Sequence, residues 1–235
     1  MSAVFKREFK NYFYSPLGYV FLALMFFFSG YFFWVVLANQ STMLKYVFGS
    51  LVNFVITFIP MLTMRLMSED KKLKTDQLLL TSPVSTTGLV TGKYLAAMLM
   101  YLISIAPTML FAVIMATFTT VDWQVFIGNF LGLFLMGAAL LAIGLFISST
   151  TESQMIAAIG TFATMMLIMM FDSIASVMPA NLAFLGTVFT SLSFTSRYND
   201  LVGGLLNISH VLFFLSVVVA FNFLTIRILE RRRWG

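Results

Sequence analysis

The chain has 235 residues, 60% of them hydrophobic and 10% charged. A soluble domain carries about a quarter charged residues, so this composition excludes one and makes the chain a membrane protein. The absence of cysteine excludes disulfides, thiolate metal sites and a cysteine nucleophile, and the pI near 9.6 does not indicate nucleic acid, because the charges sit at the ends of apolar runs.

Residues 3–14 come first. Phe5, Phe9, Tyr12 and Phe13 fall at i, i+4, i+7 and i+8, one helical stripe. Lys6, Arg7, Lys10 and Asn11 fill the other side. The pattern predicts a helix lying in the membrane interface, apolar face in the lipid and cations at the headgroups. The plainer alternative is a basic flank that orients the first span. Ser15-Pro16 ends this helix. Basic residues before an apolar run also open a signal peptide. The run here is too long for that, and no A-x-A-like site follows it.

A helix rises about 1.5 Å per residue, so about 20 apolar residues cross the hydrocarbon. Six stretches qualify: Leu17–Ala38, Val47–Met64, Tyr94–Thr117, Val125–Ile147, Met155–Phe171 and His210–Leu229. Pro60 and Pro107 lie inside spans, where a kink is expected. With the N-terminus inside, twelve of the 14 basic residues face the cytoplasm and two, Lys45 and Arg197, face the other side. That asymmetry predicts both termini cytoplasmic.

Between the second and third spans lies RLMSEDKKLKTDQLLLTSPVS, residues 65–85. Ser68 is suited to cap a helix, with Glu69 and Asp70 at its positive end. Lys71, Lys72 and Lys74 follow, Leu73 and Leu80 share a face, and Pro83 stops the helix. The stretch predicts a short amphipathic helix over 68–80. It either passes force from a soluble partner to two spans or only touches lipid headgroups through its lysines. The residues themselves do not choose. Ser85 to Thr87 are placed to cap the next helix.

GLVTGK, Gly88 to Lys93, falls short of a phosphate loop: three residues separate the glycines, and Tyr94 follows the lysine. Any ATP and magnesium chemistry must belong to another chain. The segment 172–209 is expected outside, as short helices dipping into the outer leaflet, since a structureless loop of that length is improbable. Within it, Arg197 and Asp200 are spaced to pair if helical. The plainer reading is a packed cap with no specific role.

His210 is the one histidine. A serine protease site needs a serine at its depth, but Ser148 and Ser149 are a membrane away, so His210 reads as an interfacial residue. The 17 methionines, Met165 and Met169 among them, fit flexible packing better than copper. No acid sits in the middle of a span, which argues against ion-coupled transport. Asn207-Ile-Ser209 is a glycosylation sequon by pattern alone. With no internal repeat or linker, the chain is expected to form one domain.

The stretch SEDKKLKTDQLLLTSPVSTTGLVTGKYL resembles the coupling-helix signature of ABC-2 type permeases: an acidic pair, basic residues, Gly-Thr, an acid or amide, a leucine run, a Pro-Val turn, then Gly-Lys before the third span. Lys74 stands where the glycine is usual, and Thr75 is kept. FKREFKNYFYSPLGYVF, IGLFISSTTESQMIAA and the last third of the chain are similar to the gliding-motility-associated permease subgroup.

The resemblance implies an all-α, six-span half-transporter. It implies an ABC ATPase subunit docked on Ser68, Glu69, Asp70, Lys71, Lys72, Thr75, Asp76, Gln77 and Leu78, with Glu152 in a second link. It also implies a second permease copy or a membrane subunit with an outer domain, and outer re-entrant helices, bearing Arg197 and Asp200, that gate the outer side. The expected function is ATP-driven outward movement of an unidentified, lipid-like substrate. The chain itself is expected to be no enzyme and to bind no cofactor or metal. The alternatives are a scaffold of an ATPase-driven assembly or force-generating complex without substrate passage, and a stand-alone channel.

Overall fold

The computed structural model describes residues 2–39, 44–74, 85–178, 183–202 and 207–234. Among these residues all regular structure is helical. The helices are α1 (Ser2–Tyr14), α2 (Pro16–Ala38), α3 (Lys45–Thr63), α4 (Ser68–Lys72), α5 (Thr86–Ile105) and α6 (Pro107–Phe118). The rest are α7 (Trp123–Thr150), α8 (Gln154–Met169), α9 (Phe171–Val177), α10 (Ala183–Leu192), α11 (Phe194–Val202) and α12 (Ile208–Trp234).

Five helical stretches are long and apolar enough to cross a membrane: Pro16–Ala38, Lys45–Lys72, Thr86–Phe118, Trp123–Thr150 and Ile208–Arg232. The fifth expected span, 155–171, is divided. Helix α8 has 16 residues, about 24 Å at the helical rise and short of the roughly 30 Å hydrocarbon. Helix α9 then turns away by 43°, so α8 and α9 make a sixth crossing only as a bent pair. The expected third span starts eight residues earlier than hydropathy suggested, at Thr86. Ser85 caps it by accepting the Gly88 N–H at 3.2 Å. Pro107 divides this span, because it lacks an N–H and is tolerated at a first helical position. Pro60 sits inside α3 without ending it.

Helix α7 is the central strut. It packs against α3, α5, α8, α11 and α12, and Leu133, Met136, Leu140 and Leu141 are buried on it. Small residues let neighbours close in. A Cβ on Gly137 would lie 2.2 Å from the Tyr101 ring, and one on Gly144 would lie 2.5 Å from Thr63. Tyr101 uses that space to donate to the Leu133 carbonyl at 2.6 Å. Tyr94 donates to the Ala138 carbonyl at 3.0 Å. These are helix-to-helix bonds, which matter where no water can satisfy a backbone group.

Helix α1 lies against α5 and α2. Along it Phe5 stacks on Phe9, centroids 6.0 Å apart, and Phe9 meets Phe13 edge to face at 5.1 Å. Phe9, Tyr12 and Phe13 also pack on the buried core. The stripe that periodicity assigns to lipid thus serves the bundle as well, while Lys6 and Lys10 are exposed. The turn into α2 is tight: a Cβ on Gly18 would sit 2.2 Å from the Tyr12 carbonyl oxygen.

The helix expected over 68–80 is shorter. Helix α4 ends at Lys72, with Leu73 as its C-cap and Lys74 at φ 56°. That left-handed conformation suits glycine and strains a lysine, and it stops the helix. Residues 75–84, with Thr75, Asp76, Gln77, Leu78 and Pro83, lie outside the described residues.

Candidate functional site

The densest charge lies where α1, α4 and α5 meet. The Lys93 ammonium, on a side chain only 2% exposed, is 2.6 Å from Asp70 Oδ2 and 3.1 Å from Glu8 Oε1. Glu8 also accepts from the Arg7 guanidinium at 2.6 Å. A buried ion pair is tolerated only when geometry and extra hydrogen bonds offset its desolvation. Two carboxylates around one ammonium, with a guanidinium behind one of them, supply that here. Burial pulls the Arg7 guanidinium down most, but the Glu8 bond and the Glu8 and Asp70 charges together outweigh it, so it ends above its ordinary value.

A second pair borders the first. Arg65 grips Glu69 with two bonds, both 2.7 Å, from Nε and Nη2. Its Nη1 donates to the Ser15 hydroxyl, which also accepts the Leu17 N–H as the cap of α2. Tyr12 donates to the Leu62 carbonyl at 2.9 Å. Burial first, and the Glu8 charge second, raise the Tyr12 pKa and keep it a donor. Helices α1, α2, α3, α4 and α5 are thus joined at one end of the bundle by polar contacts.

Helix α4 is fixed to α7 by a different device. Ser68 is not its cap: the helix begins after Met67, and the Ser68 hydroxyl donates back to the Met64 carbonyl. The cap comes from across the fold. The Ser148 hydroxyl oxygen accepts from the Met67 N–H at 3.1 Å and the Ser68 N–H at 3.2 Å, and donates to the Met64 carbonyl at 3.2 Å. The first N–H groups of a helix have no partner within it, and here a serine 80 residues away in sequence provides one. Lys71, buried, donates to the Ser149 carbonyl. Lys72 is exposed, and so is Glu152 in the link from α7 to α8.

Arg197 and Asp200 lie near the start of α7, not its end: Tyr198 and Leu201 of α11 close on Gly132, and Asn129 reaches the Val202 carbonyl. The expected Arg197–Asp200 pair is replaced by contacts to His210. Asp200 is 3.2 Å from His210 Nε2, and Arg197 is 3.4 Å from His210 Nδ1. The imidazole, in the first turn of α12, lies between them. Arg197 also donates twice to the Ser191 carbonyl, the shorter bond 2.8 Å, and stacks 4.1 Å from the Phe213 ring centroid. His210, read from sequence as a plain interfacial residue, is therefore the centre of this cluster. Its offsets of 13 and 10 from the charged pair were the available signal.

From the sequence, Glu8 has no role, Ser148 enters only as a nucleophile, and Lys93 only in the Gly-Lys before the third span. Lys93 carried a faint signal, a lone lysine beside Gly92 and Tyr94 at the head of an apolar run. Glu8 and Ser148 carried none. No group of three or more His, Cys, Asp or Glu suited to a metal occurs among the described residues.

A cavity of about 620 Å³ opens beside the charged layer. Arg7, Glu8, Arg65, Glu69, Asp70 and Lys93 line one side, and Leu17, Phe21, Met61, Leu62 and Leu66 the other. Residues 35–227 match the family model described as ABC-2 family transporter protein. No curated protein matches the chain. The matched span holds α4, Asp70, Lys93 and Ser148, and leaves out α1 with Arg7 and Glu8.

Proposed function

The chain belongs to the ABC-2 transporter family, a membrane transport component that is not itself catalytic, and from that premise we propose that it is the permease subunit of an ATP-driven exporter. ATP would be hydrolysed on a separate ABC ATPase chain. That chain docks on the accessible side of α4, at Glu69 and Lys72, with Glu152 at its margin, while buried Ser68 and Lys71 hold α4 in place. The substrate is moved outward and is lipid-like, in keeping with spans rich in Phe, Met and Leu. The pathway is completed by a second copy or by a membrane subunit with an outer domain, as in the gliding-motility-associated permeases that the sequence resembles. The membrane is the bacterial inner membrane, with both termini cytoplasmic, and Arg197 and Asp200 belong to the outer gate.

One observation carries this reading. A five-residue helix, α4, is tied to α7 through Ser148 and to α5 and α1 through the Asp70–Lys93–Glu8 cluster. An element so short has little stability of its own, yet any push on it reaches three other helices through buried contacts.

The test is a mild-detergent purification of the tagged chain from its own host, followed by ATPase measurements on what comes with it. An ABC ATPase is expected to co-purify. Glu69→Ala, which removes the Arg65 grip, is expected to leave insertion intact and to uncouple hydrolysis from substrate stimulation. Repeated recovery of the chain alone with crosslinker, or normal coupling in that variant, would count against the reading.

A further inference from the structure

We propose that the cavity between α1, α2 and the turn after α3 is a binding site for the headgroup of a zwitterionic phospholipid, the phosphate at the guanidiniums and the ammonium at the carboxylates. This goes beyond the transport reading and does not depend on it.

The charge order selects a zwitterion. The lining holds three cations, Arg7, Arg65 and Lys93, against three carboxylates, Glu8, Glu69 and Asp70. The sum is zero, so neither an anion nor a cation meets a net complementary field. Local donors and acceptors remain all the same. A guanidinium has five N–H groups. Arg7 commits two of them to Glu8, and Arg65 commits two to Glu69 and one to Ser15. Three on Arg7 and two on Arg65 are left to meet phosphate oxygens. The Glu69 carboxylate accepts two bonds from Arg65 and has lone pairs left for an ammonium. The internal pairs need not break, because the ligand adds to their outer edge.

The shape selects a lipid over a free solute. The cavity runs from this charged rim to an apolar wall of half-buried Leu17 and Met61, on two helices that are long enough to span a membrane. Its volume of about 620 Å³ lies within the range of about 300–1,000 Å³ typical of ligand pockets. Tyr14, 83% exposed, lines it at the end of α1, and exposed Tyr19 lies in the first turn of α2. Exposed tyrosines mark the headgroup level of a bilayer. A soluble solute would gain nothing from the apolar wall, whereas acyl chains continue along it.

The experiment is native mass spectrometry of the full tagged chain in dodecyl maltoside, titrated in parallel with phosphatidylethanolamine, phosphatidylglycerol and soluble glycerophosphoethanolamine. Phosphatidylethanolamine should be retained about tenfold better than phosphatidylglycerol, the ratio expected from one charge-assisted bond. Glycerophosphoethanolamine should not be retained. Arg7→Gln removes phosphate donors, and Asn11→Trp narrows the cavity from an exposed position on α1. Each should lower phosphatidylethanolamine retention about tenfold, while Lys45→Gln, away from the cavity, should leave it unchanged. Equal retention of the two lipids overturns the zwitterion assignment. Retention of the soluble compound overturns the lipid assignment, and undiminished binding in both variants overturns the site.

Discussion

At one end of α7, Lys93 is 2% exposed and held between carboxylates that come from α1 and α4. At the other, Asp200 is 47% exposed and meets His210 of α12. The first cluster joins residues 8, 70 and 93. The second draws on residues 197, 200 and 210. A buried cluster built from distant segments exists only once the bundle is assembled, and it then resists change. A half-exposed cluster built from one local stretch is screened by solvent and repacks at low cost. Under the proposed function the first end transmits force and the second opens, and the difference suits those tasks.

The largest effect expected is at Lys93. Lys93→Met takes the shared ammonium from two buried carboxylates and leaves Glu8 to Arg7, which costs about 3–5 kcal/mol. The variant should melt far below the wild type in detergent. Adding Glu8→Gln and Asp70→Asn should restore much of the loss, since the uncompensated charge is then gone. Equal melting of Lys93→Met and wild type would erase the contrast between the two ends.

Ser148→Ala comes next. It leaves the Met67 and Ser68 N–H groups without their acceptor in a buried place, at a cost of about 1–3 kcal/mol. Its second effect sharpens the comparison. Hydrogen exchange at α4 should rise more than at α11, because the lost cap belongs to α4. Uniform exchange across both would mean that Ser148 does not anchor that helix.

Lys74→Gly should act in the opposite direction. The lysine sits at φ 56°, where a side chain costs about 1–2 kcal/mol. Glycine returns part of that as unfolded-state entropy, so a net gain of about 0.5–1 kcal/mol is expected as a small rise in melting temperature. The turn after α4 would become more stable, and the charged end more rigid still.

The sequence made the spans legible because burial in a bilayer needs long apolar runs, and those runs are local. It also made Ser85 legible as a cap, and Lys74 as a departure at a position where glycine is usual. It misplaced the end of α4, because a leucine run continues the helical pattern past a residue whose backbone turns left-handed. It separated Glu8 from Lys93, because nothing local shows that α1 folds back onto α5. Ser148 was weighed only as a nucleophile, and its role as a cap for a helix 80 residues earlier depends wholly on packing. His210 has no serine at its depth, and its partners are instead Arg197 and Asp200, 13 and 10 residues earlier. Local signals thus gave the elements and the charged end, while the pairings needed the assembled fold.

The smallest effect expected separates the two residues that sequence reasoning had joined. Asp200→Asn keeps an oxygen that can accept from His210 Nε2, and the pair it alters is half exposed, so the cost should stay below about 1 kcal/mol. Arg197→Ala removes two bonds to the Ser191 carbonyl and the stacking on Phe213, which together are worth about 1–2 kcal/mol. Arg197 then acts as the anchor of the His210 cluster, and Asp200 as its adjustable member. A melting experiment in detergent on both variants decides between this and a paired gate. If the two residues worked as a closed ion pair, their losses would be equal, and the double variant would cost no more than either alone. If Arg197 anchors through backbone and ring contacts, its loss exceeds that of Asp200, and the double variant costs close to their sum.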